Sequence, residues 1–267
     1  WSFVKFGESE WAFSLYMYLS GKFMDVESWF LLTAAFYCGF SALAFYLIHK
    51  NRASLAFLMF VLSFSFWSYG TNGLRNGMAT SVVLLAFSCS KKRLLMGGLF
   101  FLAFSIHTAT LLPIGAFILT MFFKNPRYYL LGYLTAIVFS LLAGESLGAV
   151  VANLGIFEDD RFSTYLTTRA DETVFRYVGF RLDFLLYSLW PIIIGANFIF
   201  KEGFRDPFYL QLFNTYVTAN AFWVLLIRSN FSNRFAYLSW FMMSWIIIYP
   251  LLKRRFYNEQ NTVIVKN

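Results

Sequence analysis

The chemistry legible in this sequence centres on Arg75. It stands in residues 69–89, YGTNGLRNGMATSVVLLAFSC, a polar, glycine-punctuated turn running straight into an apolar helix. A guanidinium at the mouth of a membrane helix is costly unless it pairs or lines a wet cavity, which makes Arg75 a functional candidate. Asn72 precedes it by three residues, a spacing that predicts a shared helical face, and Asn76 adds a second amide beside it. The planar fork of arginine suits bidentate grip on phosphate or carboxylate. Glycines at 70, 73 and 77 let a ligand or a neighbouring backbone come close. The turn therefore predicts a site for an anionic, lipid-linked molecule at one membrane face.

Further polar groups fall at the same depth. His107 lies roughly 10 Å below the outer surface at the helical rise, and Glu145 roughly 9 Å down. Arg181 and Asp183 come early in a span that starts outside, and Arg228 and Arg234 flank the short loop 229–233. The guanidiniums suit bidentate contact with phosphate or carboxylate. Each has a plainer use. Arg75 can snorkel to headgroups, His107 can satisfy a carbonyl at a helix break, and Asp183 can neutralise an arginine from another helix. By helical spacing, Arg181 at i−2 points away from Asp183.

These groups must be carried by helices in a bilayer. Hydrophobic residues make up 59% of the 267 and charged ones 13%, more apolar surface than a soluble core hides. The fold class is an all-α polytopic membrane protein, read as a single transmembrane domain, 1–267. Full spans are predicted at 29–48, 53–69, 74–90, 128–151, 178–200, 209–228 and 234–252. The apolar run 94–123 is interrupted by Ser105, His107, Thr108 and Pro113. Each half is shorter than the ~30 Å hydrocarbon core, so it reads as a re-entrant pair or short-helix hairpin with His107 at the bend. Residues 1–28 hold Glu8, Glu10, Asp25 and Glu27 around a patch too short to span, which predicts an interfacial or re-entrant helix. The one long outer loop, 152–177, contains Arg161, Tyr165, Arg169 and Arg176; loops of that length are commonly functional.

The formal net charge of +8 is a topology signal. Lys50, Arg52, Lys91, Lys92, Arg93, Lys124, Arg127, Lys253, Arg254 and Arg255 fall in every second loop, which makes that side and the C-terminus cytoplasmic. Nothing remains to argue for nucleic acid. Cys38 and Cys89 lie in apolar runs and read as small buried hydrophobes. His49 and His107 lie at opposite faces, so no metal site is predicted. No phosphate-binding loop or dinucleotide fingerprint occurs. The sequence begins at Trp1 without a Met, which predicts a missing upstream segment.

Tyr69-x-x-Asn72-Gly73-x-Arg75-Asn76-x-Met78-Ala79 resembles the "NGxRQxIA" signature of EpsG-type, Wzy-like polysaccharide polymerases. His107-Thr108-Ala109 resembles that family's "HxSA/HxTA" element, and Asn233-Arg234-Phe235-Ala236-Tyr237 its closing "R…Y" segment. Asn76 stands where the family has Gln, keeping the amide on a shorter stem, and the family's N-terminal helix is not seen in this sequence. The resemblance implies a membrane glycosyltransferase with a helical bundle of the C type. Such an enzyme joins oligosaccharide repeats carried on undecaprenyl pyrophosphate, in O-antigen or exopolysaccharide synthesis, at the periplasmic face of a bacterial inner membrane. It would use no metal, cofactor or nucleotide sugar, and would sit in lipid beside a chain-length-regulating membrane partner. Arg75, His107 and Asp183 would be catalytic. Asn72, Asn76, Glu145, Arg161, Tyr165, Arg169, Arg181, Arg228, Arg234 and Tyr237 would bind substrate. A ligase would share such a site with a different acceptor, and a flippase would instead place polar groups at the midplane.

Overall fold

The computed structural model describes residues 10–143, 179–229 and 232–254, and every regular element among them is a helix. In chain order these are α1 (Trp11–Phe23), α2 (Val26–His49), α3 (Ala53–Val61), α4 (Phe64–Thr71), α5 (Leu74–Ser88) and α6 (Arg93–Ile106). There follow α7 (Leu111–Phe122), α8 (Pro126–Ala143), α9 (Leu182–Ala196), α10 (Pro207–Leu225), α11 (Ser232–Trp240) and α12 (Met243–Lys253). Among the described residues, three helical stretches are long and apolar enough to cross a membrane: Val26–Val61, taken through its Lys50–Arg52 turn, Leu182–Lys201 and Ser232–Lys253.

Local chemistry sets the boundaries. Asp25 caps α2 by accepting the Ser28 N–H at 2.8 Å, with Glu27 on the first turn where the helix dipole favours an anion. Asp206 accepts the Tyr209 N–H at 3.0 Å ahead of α10, whose first residue is Pro207. The predicted span 53–69 is two helices. The Ser63 hydroxyl donates to the Phe60 carbonyl at 2.6 Å and accepts the Phe66 N–H at 3.3 Å, so a side chain replaces the backbone ladder there. The apolar run 94–123 breaks at His107, whose backbone is extended (φ −153°, ψ 118°). Its two halves have separate main partners, α6 packing on α5 and α7 on α10. The stretch 234–252 likewise divides between α11 and α12.

Helix α5 is the axis of one half. Residues 77–87 are all buried, and α2, α4 and α6 pack around them. A helix apolar on every side belongs inside a bundle. Phe87 stacks on Phe117 of α7 with ring centroids 4.3 Å apart and meets Phe100 of α6 edge-on. Helix α10 is the axis of the other half, carrying α7, α8 and α11.

Some polar side chains inside the bundle are hydrogen-bonded within and between helices. Asn220 accepts the Trp223 indole N–H at 2.8 Å and donates to the Ser239 hydroxyl at 3.2 Å. Trp240 donates its indole N–H to the Ser188 hydroxyl at 2.6 Å. Large apolar side chains point outward instead, among them Leu31, Leu131, Leu134, Phe139, Leu142 and Trp190. Such an inside-out distribution suits lipid. The basic loops meet at one end, where the Arg52 guanidinium donates to the Leu252 carbonyl and that of Arg254 to the Glu202 carbonyl. The turn before α5 lies at the other end, and Cys38 and Cys89 are free thiols.

Candidate functional site

The turn between α4 and α5 is held by one aromatic residue. Tyr69 is buried on α4, and α5 crosses it so closely that a Cβ on Gly77 would lie 3.1 Å from the Tyr69 carbonyl oxygen. A Cβ on Gly73 would lie 3.0 Å from the Tyr69 ring. The close approach these glycines permit is therefore that of Tyr69, its backbone at Gly77 and its ring at Gly73. Asn72 ends α4, its N–H donating to the Ser68 carbonyl at 3.0 Å, while Arg75 begins α5. The expected shared helical face is thus replaced by a helix-to-helix corner. That corner still brings the two side chains to one cavity.

The cavity has a volume of about 330 Å³. Asn72, Arg75 and Asn76 line it from the corner, and Asn233, Arg234 and Tyr237 line it from the first turns of α11. Asn233 donates its amide N–H to the Tyr237 hydroxyl at 3.4 Å, and the Tyr237 ring meets Tyr69 edge-on. Among the described residues, the Asn76 amide oxygen and the Tyr69 hydroxyl are buried without a hydrogen-bond partner.

The residue that sequence reasoning missed is Glu10. One carboxylate oxygen pairs with the Arg75 guanidinium, and the other accepts the Nδ1–H of His107. The second oxygen also takes the Thr108 backbone N–H at 3.3 Å and the Thr108 hydroxyl at 3.4 Å. Phe13, on the first turn of α1, places its ring 5.9 Å from the Arg75 guanidinium carbon. Helix α1 packs on α6, so the expected interfacial helix is part of the site wall. Burial acts to raise the Glu10 carboxyl, but the hydrogen bond and charge of His107, the charge of Arg75 and the Thr108 N–H outweigh it. The carboxyl is held below its ordinary range. His107 is itself buried and reaches the cavity through Glu10 and Arg75 rather than by lining it.

The remaining predicted residues divide. Arg181 precedes the first residue of α9 with a non-helical backbone, so the helical i−2 argument does not apply to it. Its guanidinium forks onto Asp183 at 2.9 and 2.6 Å and lies 3.6 Å from the centre of the Phe184 ring. Asp183 is committed to that pair, with its side chain 61% exposed, and joins neither Arg75 nor His107. Arg228 faces the Phe180 ring at 5.5 Å, and its Nε is buried without a partner among the described residues. Arg181, Asp183 and Arg228 are not among the residues that line the Arg75 cavity. Glu145, Arg161, Tyr165, Arg169 and Arg176 lie outside the described residues. No group of three or more His, Cys, Asp or Glu side chains that could hold a metal ion occurs among the described residues.

The model of the EpsG family matches residues 2–266, nearly the whole chain. The chain belongs to the EpsG family. Membership makes it a membrane protein of polysaccharide biosynthesis with a polymerase-like role, and the three motif segments quoted above all fall inside the match. In this EpsG chain two of those segments meet in space, the Arg75 corner and the Arg234 turn sharing one cavity. The third, at His107, is joined to them by Glu10. No curated protein and no solved structure matches the chain.

Proposed function

We propose that this EpsG-family chain is a polysaccharide polymerase of the membrane-embedded C type. It transfers a growing glycan from undecaprenyl pyrophosphate to a lipid-linked repeat unit at the periplasmic face of a bacterial inner membrane. The observation that carries the reading is the pairing of Arg75 with Glu10 and of Glu10 with His107 at the edge of a polar cavity that Arg234 also lines. When the anomeric C–O bond to diphosphate breaks, negative charge grows on the leaving group. Guanidiniums fixed beside it stabilise that charge without reorganising. The acceptor sugar hydroxyl forms the new C–O bond and gives its proton to His107, the base, which does not line the cavity and which the acceptor must reach past Glu10 and Arg75. Asn72, Asn76, Asn233 and Tyr237 offer the uncharged donors and acceptors that sugar hydroxyls use. Asp183, spent on Arg181, is the weaker choice of base.

The test is made in the native bacterium with Arg75→Lys and His107→Ala, reading the length of surface polysaccharide. Lysine keeps the charge but loses the fork, and removing one charge-stabilising donor costs on the order of 10²–10³ in rate. Chains collapsing to single repeats still joined to their anchor would support a polymerase. Complete loss of anchored sugar would favour a ligase or flippase instead. Long chains in both variants would end the assignment.

A further inference from the structure

We propose that Glu10 is a positioning residue of this site, a carboxylate clamp that holds the Arg75 guanidinium and the His107 imidazole in register for transfer. This rests on the polymerase reading above and adds to it a residue from a segment 65 positions before Arg75 and 97 before His107. The geometry assigns each carboxylate oxygen a separate task. One oxygen engages Arg75; the other accepts from His107 Nδ1, from the Thr108 N–H and from the Thr108 hydroxyl. Three helices, α1, α5 and α6, are thereby tied at one point.

The chemical consequence follows from the imidazole. A neutral histidine that donates its Nδ1–H keeps its lone pair on Nε2. That is the atom to receive the acceptor hydroxyl proton. As it does so, the acceptor oxygen bonds to the anomeric carbon and the lipid diphosphate departs with the electrons of the broken bond. The imidazolium then formed has the Glu10 carboxylate beside it. On its other side, Glu10 is the counter-ion of Arg75 until a substrate diphosphate competes for the guanidinium. The Glu10 backbone lies in the left-handed region (φ 66°, ψ 28°), which residues other than glycine rarely adopt. Its side chain is 11% exposed. A surface glutamate starting a helix needs neither feature; a glutamate aimed at two cations uses both.

The experiment compares Glu10→Gln, Arg75→Ala and His107→Ala. Polysaccharide chain length is read in the native bacterium, and stabilisation by inorganic pyrophosphate in thermal unfolding of the purified protein. Glu10→Gln keeps the shape and removes the charge. Carboxylates that orient a functional histidine are worth about 10–100-fold or more, so chain extension should slow by at least that much. Stabilisation by pyrophosphate should persist or increase, because Arg75 loses its competing anion. Arg75→Ala should abolish that stabilisation. A residue that merely props up the fold would weaken both readouts together, and that result would overturn the proposal, as would full-length chains in Glu10→Gln. Should Glu10→Gln fail to accumulate in membranes, Glu10→Asp carries the same two readouts with the charge retained on a shorter stem. If Arg75→Ala and His107→Ala themselves leave chains long, the polymerase reading fails. If they collapse the chains while Glu10→Gln does not, the Glu10 assignment alone falls.

Discussion

At the scale of single residues, the site is one carboxylate between two basic side chains. Arg75 and His107 were legible as candidates because each is a polar group where the sequence expects lipid, and such a group needs a reason to be there. Glu10 was not legible. It lies among other acidic residues before a helix too short to span, and nothing local distinguishes a solvated glutamate from one aimed at a guanidinium. Asp183 shares the depth of Arg75 in the sequence, but a non-helical backbone at Arg181 lets that arginine take Asp183 for itself. The depressed Glu10 carboxyl has a pH consequence. A group whose carboxyl is easier to ionise folded than unfolded stabilises the fold above its ordinary value, 4.5, and loses that contribution as pH falls through the lower folded value. Thermal unfolding in detergent should show the wild type more stable than Glu10→Gln at pH 7 and at pH 5. The gap should close only on acidification beyond the ordinary carboxylate range, and a gap closing between pH 7 and pH 5 would contradict this.

At the scale of helices, the positions of α2, α5 and α10 were readable from apolar runs, while the interruptions elsewhere were not. Ser63 breaks an apolar run that hydropathy reads as continuous, because hydropathy does not report where a hydroxyl replaces a backbone partner, and a turn at Phe241 divides another. The glycines illustrate the same limit. Gly77 and Gly97 both sit in helices, yet Gly77 faces the Tyr69 backbone and Gly97 faces open space. Gly97→Ala should therefore stabilise by roughly 0.5–1 kcal/mol through helix propensity. Gly77→Ala should destabilise by about 1–3 kcal/mol, as overpacking does, and should disturb the Arg75 corner. Thermal unfolding of the two variants, with opposite shifts expected, checks the contact. Asn220→Ala should cost about 1–3 kcal/mol by leaving the Trp223 N–H unpaired inside the bundle and removing the donor that reaches the Ser239 hydroxyl of α11. An unchanged midpoint would mean that α10 and α11 are not stitched there.

At the scale of the molecule, the chain places basic loops at one end and the polar cavity at the other, and in the proposed topology the membrane separates them. The proposed topology is open to thiol labelling. With Cys38 and Cys89 replaced, a lone cysteine at the exposed Asn72 position should react with a membrane-impermeant reagent added to intact cells after outer-membrane permeabilisation. One at the exposed Lys91 position should react only after the inner membrane is opened. Reversed labelling would invert the topology and remove the cavity from the periplasmic face. The central claim is that the Arg75 cavity transfers glycan off a lipid diphosphate. Its most direct measurement is the yield of undecaprenyl pyrophosphate from purified protein in liposomes supplied with undecaprenyl-pyrophosphate-linked repeat units. One lipid diphosphate released for each glycosidic bond formed, abolished by Arg75→Ala, is the expected result. Chains that lengthen without that release, or that lengthen equally in Arg75→Ala, would contradict the account.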